Sequence, residues 1–162
     1  MTFTLLSPEV RSAAERSVLC WLATSDKNNQ PNVTPKELFQ IFDDRHLVIA
    51  NIASPGSARN IIYNPKVYVS FIDVFTQKGF KILGNARNIA RTNSEFMDWS
   101  SKLDVMARPR FTIHSVFVVQ ASHVEIIVAP SYRLYPAETS ELTQVESALH
   151  TYGVTRSRNG NV

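Results

Sequence analysis

The chain has 162 residues, of which 44% are hydrophobic and 19% charged, as in an ordinary globular protein. Lysine and arginine exceed aspartate and glutamate by only three (17 − 14), whereas a nucleic-acid-binding protein is expected to carry a dense basic stripe. No apolar run approaches the roughly 20 residues that cross a bilayer, and the first residues lack the basic and apolar regions of a signal peptide. We therefore expect a cytoplasmic protein that binds neither nucleic acid nor membranes and folds as one domain over residues 1–162, with a frayed tail over 155–162.

The first segment of the chain predicts a helix followed by a strand. Ser7 is a good N-cap residue and Pro8 suits the first helical turn, so we predict a helix over residues 8–17. The apolar run 18–24 predicts a strand that is buried on both faces.

The next segment predicts antiparallel strands joined by short turns. Residues 32–42 have an extended pattern, and Pro35 within them indicates an edge strand or a bulge, because proline cannot donate to a sheet ladder. Residues 46–51 predict another strand. The links are too short for the crossovers of a parallel sheet, so the pattern indicates a meander.

A second helix is predicted where Ser54-Pro55-Gly56-Ser57 ends the strand, and it stops at Asn64-Pro65. Its inner face is expected to carry Ala58, Ile61 and Ile62. Strands are then predicted over residues 67–73 and 79–89.

The C-terminal half predicts two more helices around one long extended run. A capping box at Thr92–Glu95 indicates a helix over residues 93–106. The extended run 115–129 is unusually long for one strand, so we predict a bend near residues 122–123. The last helix is predicted over residues 141–152, with Gly153 just past its end.

These elements amount to about six strands and four small helices. Short turns between most of the strands favour a mainly β fold, namely a small antiparallel barrel with peripheral helices. Gly84 within the strand 79–89 marks a bulge or a close approach of another backbone.

Cysteine and histidine give little support for metal or nucleophile chemistry. The single cysteine, Cys20, lies in an apolar run, so we expect a buried and unreactive thiol. Four histidines are scattered singly without the spacing of metal ligands, so no metal site is predicted. They are His46, His114, His123 and His150.

The start of the second helix is the candidate binding site. A helix N-terminus offers free amides and a partial positive charge, Ser57 adds a hydroxyl, and Arg59 adds a forked donor suited to phosphate oxygens. Lys36 on the preceding strand can supply a second charge. The local spacing leaves two interpretations equally open: an anion site, or an ordinary capped helix with solvated basic side chains.

Five motifs, in this order and spacing, resemble the pyridoxamine 5'-phosphate oxidase-like FMN-binding split-barrel family. They are Pro31–Lys36, Ile49–Asn51, Gly56–Ile61, Asn64–Val69 and Gly79–Ala86. The resemblance covers roughly residues 17–90.

The resemblance implies a six-stranded split β-barrel of the FMN-binding type that forms a homodimer, with FMN at the subunit interface. It also implies that the phosphate contacts are made by Lys36, Ser57, Arg59 and Asn60. The flavin ring is expected to lie along the backbone of Ile49, Ala50 and Asn51, near Pro35, Lys36 and Glu37. Residues 75–80 or 132–135 of the partner chain would complete the site.

The resemblance to the oxidase itself ends in the substrate half. Gly56-Ser57-Ala58 stands where that enzyme has a basic Ser-Arg-Lys run, and its C-terminal arginine and histidine motif is not evident. We therefore expect a related FMN-dependent oxidoreductase that transfers hydride or electrons to or from a small molecule. Two alternatives remain open: a non-enzymatic flavin- or haem-binding or sensing protein on the same barrel, and a purely structural domain.

Overall fold

The computed structural model of the protein describes residues 6–107 and 111–156. Its strands are β1 (Cys20–Ser25), β2 (Pro31–Lys36), β3 (Phe39–Ile41), β4 (His46–Asn51), β5 (Lys66–Asp73), β6 (Lys78–Ala90) and β7 (Ser115–Val128). Its helices are α1 (Pro8–Arg16), α2 (Pro55–Tyr63), α3 (Phe96–Ala107), α4 (Ser131–Leu134) and α5 (Glu141–Tyr152).

The strands form one curled antiparallel sheet in the order β2-β1-β5-β6-β7-β4-β3, with the helices around it. This confirms the predicted mainly β, antiparallel fold. The sheet of the described residues has seven strands rather than six, because the extended segment 32–42 divides after Lys36. Its first part, β2, is one edge of the sheet, as Pro35 predicted, and its second part, β3, is the opposite edge.

Strand β1 corrects a prediction, since it is buried on one face and not on both. Its side chains alternate: Cys20 and Leu22 are fully buried, whereas Trp21 is 44% exposed. The strand also starts later than predicted, because Val18 lies outside it and is exposed. An apolar run can therefore include an outward-facing side, which its composition does not reveal.

Two helices depart from their predicted form. In α2, Ile61 points inward as predicted, but Ile62 is exposed because it lies about 100° further round the helix. Helix α3 begins at Phe96 and not at residue 93. The side chain of Asn93 accepts a hydrogen bond from the amide of Glu95 at 2.9 Å, and the Glu95 carboxylate pairs with Arg87 at 3.2 Å.

The long strands β6 and β7 shift their pairing register near residues 122–123. Leu83 pairs with His123 and Gly84 with Ala121, so Ser122 is an extra residue in β7. A Cβ atom at Gly84 would collide with the carbonyl oxygen of Gln120, which explains the glycine. The bulge or close approach predicted at Gly84 is therefore confirmed.

The predicted last helix is confirmed as α5. Gly153 adopts a left-handed conformation at its end, with φ of 64°. Of the predicted frayed tail, residues 157–162 lie outside the described residues. No helix in the described ranges is long and apolar enough to cross a membrane.

Strand β4 lies between two hydrophobic clusters. Its inner side chains, including Ile49, join the cluster inside the curled sheet, together with Phe117 of β7. Its outer side chains, including Val48, pack under α3 together with Leu103. Because β4 is packed on both faces, its C-terminal end holds the start of α2 in a fixed position.

Candidate functional site

A cleft of about 660 Å³ lies among β2, the end of β4, the start of α2 and the end of α3. Most of its wall is apolar, and its polar side chains are Lys36, Glu37 and Ser54. The described residues that line this cleft, here named the Lys36 cleft, are Leu19, Pro35, Lys36, Glu37, Leu38, Ala50, Ile52, Ala53, Ser54, Met106, Ala107 and Phe111. A cleft of this size and polarity is typical of small-molecule and cofactor sites.

Lys36 is the buried cation of the cleft. The residue is 7% exposed, and its Nζ donates a hydrogen bond to Ser54 Oγ and lies 5.8 Å from the ring centre of Phe117. Burial lowers the pKa of the Lys36 amine. None of the ion pairs in the described part of the chain includes Lys36. The site therefore has a desolvated positive charge that an anionic ligand would stabilise.

The N-terminus of α2 adjoins the Lys36 cleft at Ser54, the residue before the helix. The first intrahelical bond runs from the Ala58 amide to the Ser54 carbonyl at 3.2 Å, so the amides of Gly56 and Ser57 precede the helical ladder. Ser54 is held by Asn51, whose Oδ1 accepts a hydrogen bond from the Ser54 amide at 3.0 Å. Free amides at the positive end of a helix, next to a lysine, are a chemically suitable arrangement for a phosphate.

The side chains of Ser57 and Asn60 form hydrogen bonds within the protein. Ser57 is 1% exposed, and its Oγ lies 3.4 Å from Asn32 Nδ2 and 3.3 Å from Thr34 Oγ1. Asn60 donates from Nδ2 to Thr24 Oγ1 at 3.0 Å. These bonds attach α2 to the β1–β2 hairpin. The Ser57 hydroxyl is accordingly used within the protein and does not line the cleft.

The predicted site residues fall into three groups. Those that line the cleft are Pro35, Lys36, Glu37 and Ala50. Those that hold the start of α2 in place are Asn51, Ser57 and Asn60. The remaining two lie apart from the cleft lining: Ile49 is fully buried in the inner cluster, and Arg59 is exposed on α2.

The sequence interpretation missed part of the cleft wall. Ser54 has a local signal in the sequence, because a serine directly before a proline at a helix start is a typical N-cap. Met106 lies at the end of the helix predicted over residues 93–106, and its side chain is 45% exposed at the cleft. Phe111 had no local signal, since only the fold brings it to the end of β4.

Other chemistry has little support in the site. Cys20 is fully buried, as predicted, and burial raises the pKa of its thiol, so it stays neutral and unreactive. In the described part of the chain, no group of three or more histidine, cysteine or acidic side chains could hold a metal ion.

The curled antiparallel sheet with its peripheral helices and lateral cleft is the split-barrel architecture. Residues 6–127 match the sequence model of the pyridoxamine 5'-phosphate oxidase family. Because this match covers most of the chain, the protein belongs to that family, as its motifs indicated. No curated protein sequence matches the chain at a significant level.

Solved structures share the fold at low sequence identity. A pyridoxamine 5'-phosphate oxidase-related, FMN-binding protein of Nostoc punctiforme is 16% identical, with a TM-score of 0.63 over 84% of this chain and 89% of that one. HupZ of Group A Streptococcus is 20% identical, with a TM-score of 0.62 over 73% and 90%. HutZ, the haem storage protein of Vibrio cholerae, is 19% identical, with a TM-score of 0.57 over 76% and 94%. At these identities the likeness establishes the fold only.

Proposed function

We propose that the protein binds FMN in the Lys36 cleft and acts as an FMN-dependent oxidoreductase on a small molecule. The observation that carries this proposal is the buried amine of Lys36, which lines a mostly apolar cleft and is hydrogen-bonded to Ser54 at the start of α2. Family membership and the fold shared with an FMN-binding protein support the choice of FMN among phosphate-bearing ligands.

The residues present fit the two halves of FMN. Its phosphate is an anion, and Lys36, the amides of Gly56 and Ser57, and the guanidinium of Arg59 would hold it. Its ring system is large and mostly apolar, and side chains such as Leu38 and Phe111 provide a matching wall. Binding would also relieve the cost of the uncompensated charge on Lys36, since a phosphate supplies the missing negative partner.

When bound, FMN supplies the electron-transfer chemistry, so the protein needs no acid–base side chain for that step. The contribution of the chain is to bind and orient the ligand and to exclude water from the apolar wall. Asn51 takes part indirectly, because it fixes the Ser54 amide and so the start of α2.

A titration of the purified protein with FMN and with riboflavin, which lacks the phosphate, tests the proposal. We expect FMN to bind at least about tenfold more tightly than riboflavin, because a charge-assisted phosphate contact contributes about 1.5–3 kcal/mol. Lys36→Met should remove this preference, whereas Lys66→Met, at an exposed position on β5, should keep it. Equal affinity for the two flavins, or no binding of added FMN, would overturn the proposal.

Turnover then separates the enzyme from the non-enzymatic alternative. The flavin-loaded protein should oxidise NADH or NADPH, or be reduced by a small-molecule substrate, with bleaching of its visible absorbance. If it binds FMN but is reduced by none of these, flavin binding or sensing without turnover replaces the oxidoreductase. Haem has less support, because the described residues that line the cleft include no histidine.

We also propose that the active form is a homodimer in which a second copy covers the cleft. Trp21 and Val33 lie on the outer face of β1 and β2 and are 44% and 56% exposed. Trp21 pairs in register with Pro35, which lines the cleft. The exposed apolar face is therefore continuous with the mouth of the cleft, and a partner subunit would bury both.

A further inference from the structure

The amine of Lys36 is in a different chemical state from the paired surface lysines. Lys78 and Lys81 are partly exposed and pair with Glu141 and Glu125 at 2.7 Å and 2.9 Å, and these partners raise the pKa of each amine. Lys36 is buried, takes part in no ion pair in the described ranges, and has a lowered pKa. At neutral pH it therefore has a larger fraction of neutral, nucleophilic amine than an exposed lysine.

Lys36 takes part in no ion pair of the described structure, although the carboxylate of the exposed Glu37 lines the same cleft. Cys20 lies directly opposite Lys36 in the β1–β2 ladder, and its thiol is neutral because burial raises its pKa. The ring of Phe117 and the hydroxyl of Ser54 are neutral, and the start of α2 has a partial positive charge. Burial is what lowers the pKa of the Lys36 amine, since the Phe117 ring and the Ser54 hydroxyl each stabilise an ammonium.

We propose that, in the flavin-free protein, Lys36 is a nucleophile that forms an imine with an aldehyde bearing an anionic group. Its side chain lines a cleft large enough for a small molecule, and the amides of Gly56 and Ser57 lie at the adjacent helix start, where a phosphate or carboxylate would bind. The aldehyde carbon would then be held near the amine while the anionic group is bound at α2.

The step balances without an oxidant or reductant. The nitrogen lone pair of Lys36 adds to the aldehyde carbon and gives a carbinolamine. The two hydrogens of the amine and the carbonyl oxygen then leave as water, and a carbon–nitrogen double bond forms. Ser54 Oγ, which is hydrogen-bonded to Nζ, is placed to pass a proton between nitrogen and oxygen. The apolar wall, which includes Ile52 and Phe111, limits the access of water that would hydrolyse the imine.

This inference does not rest on FMN binding, although both ligands would occupy the Lys36 cleft. The test uses pyridoxal 5'-phosphate as the probe, with the flavin-free full-length protein near neutral pH. Borohydride reduction fixes the imine, and peptide mass spectrometry identifies the modified lysines. The exposed Lys27 and Lys66 of the same chain are internal controls.

We expect Lys36 to be modified at a probe concentration at least about tenfold below that needed for Lys27 or Lys66, because burial lowers the pKa of its amine and the cleft holds the aldehyde close to it. Pyridoxal without the phosphate should modify Lys36 at least about tenfold less efficiently, because it lacks the group bound at α2. Lys36→Arg, which keeps the charge but forms no imine, should lose the modification at this position only.

Modification of Lys36 no faster than that of the exposed lysines, or equal modification by pyridoxal, would overturn the inference. Added FMN separates it from the proposed function. Protection of Lys36 by FMN supports both. If Lys36 is modified rapidly and FMN does not prevent it, the imine proposal stands and the proposal that FMN binds in this cleft is overturned. If FMN binds tightly but Lys36 of the flavin-free protein is unreactive, only the imine proposal is overturned.

Discussion

Asn51, the last residue of β4, is hydrogen-bonded to Ser54, the residue before α2. Its Oδ1 accepts the bond from the Ser54 amide at 3.0 Å. Its Nδ2 donates to Ser115 Oγ at 2.9 Å, so β7 holds the same side chain. Asn51 is 7% exposed. A single buried amide thus fixes the position of the helix start relative to two strands, and the binding geometry at Lys36 depends on it.

Asn51→Ala should therefore weaken both the fold and the site. Removing the amide leaves the half-buried Ser54 amide and the buried Ser115 hydroxyl without this partner, so we expect a loss of about 1–3 kcal/mol in the free energy of unfolding. FMN affinity should fall as well, because the start of α2 is no longer fixed. Urea unfolding and FMN titration measure the two effects. Asn28→Ala, in the exposed β1–β2 turn, is the matched control and should change neither.

Variants of Ser57 and Arg59, two of the predicted phosphate contacts, should change different properties: protein stability in the first case and FMN affinity in the second. The Ser57 hydroxyl is buried against Asn32 and Thr34, so Ser57→Ala should cost about 1 kcal/mol of stability and leave the amide available to FMN. Arg59 is exposed, so Arg59→Ala should change stability by less than about 0.5 kcal/mol but weaken FMN binding. Thermal unfolding and FMN titration of both variants decide; a stable Ser57→Ala protein that has lost FMN would contradict this assignment.

Local signals in the sequence were enough to predict the strand–helix unit at the site. The run 46–51 and the Ser54-Pro55-Gly56 breaker gave β4 and α2 almost to the residue, because strand and helix starts depend on neighbouring residues. The contact of Lys36 with Ser54 joins residues 18 positions apart and depends on the division of 32–42 between two sheet edges. That division has no local signature, so the strand count and the cleft wall at Met106 and Phe111 could not be predicted.

Lys36→Met should stabilise the ligand-free protein. Burial lowers the pKa of Lys36, so at neutral pH the folded state bears the cost of a desolvated ammonium without a negative partner. A methionine of similar length removes that cost, and we expect a gain of about 1 kcal/mol, measured by urea unfolding. Lys66→Met at an exposed position should stay within about 0.5 kcal/mol of the native protein.

The advantage of Lys36→Met should shrink as the pH rises. Between the lowered pKa in the folded state and the ordinary lysine value of about 10.4, the unfolded chain keeps a proton that the folded chain has lost. Because the unfolded state then binds more protons than the folded state, the free energy of unfolding increases with pH in this window. The Lys36→Met variant lacks this group, so its free energy of unfolding does not gain this increase. Unfolding of both proteins at about pH 7 and about pH 10 tests the sign; an advantage that grows with pH would show that the pKa is not lowered.

Gly79→Ala should disrupt the β5–β6 hairpin. A Cβ atom at this position would collide with the carbonyl oxygen of Phe71 and lie 2.8 Å from the Cα atom of Ile72, and backbone cannot move aside as a flexible side chain can. We expect a loss of more than about 2 kcal/mol in the free energy of unfolding. Gly56→Ala is the control, because its Cβ would meet no atom within 4 Å. Equal stability of the two variants would contradict the close approach of the strands.

Trp21→Glu should convert the proposed homodimer to a monomer and weaken FMN binding at the same time. The side chain is 44% exposed on the outer face of β1, so a charge there costs little in an isolated subunit but would be desolvated in an apolar interface. Because Trp21 pairs with Pro35 at the mouth of the cleft, loss of the partner would leave the flavin site open on that side. Light scattering after gel filtration and FMN titration measure the two effects, and Tyr63→Glu, which is 66% exposed on α2, provides a control away from this face. A native protein that is monomeric and still binds FMN tightly would show that one subunit forms the complete site.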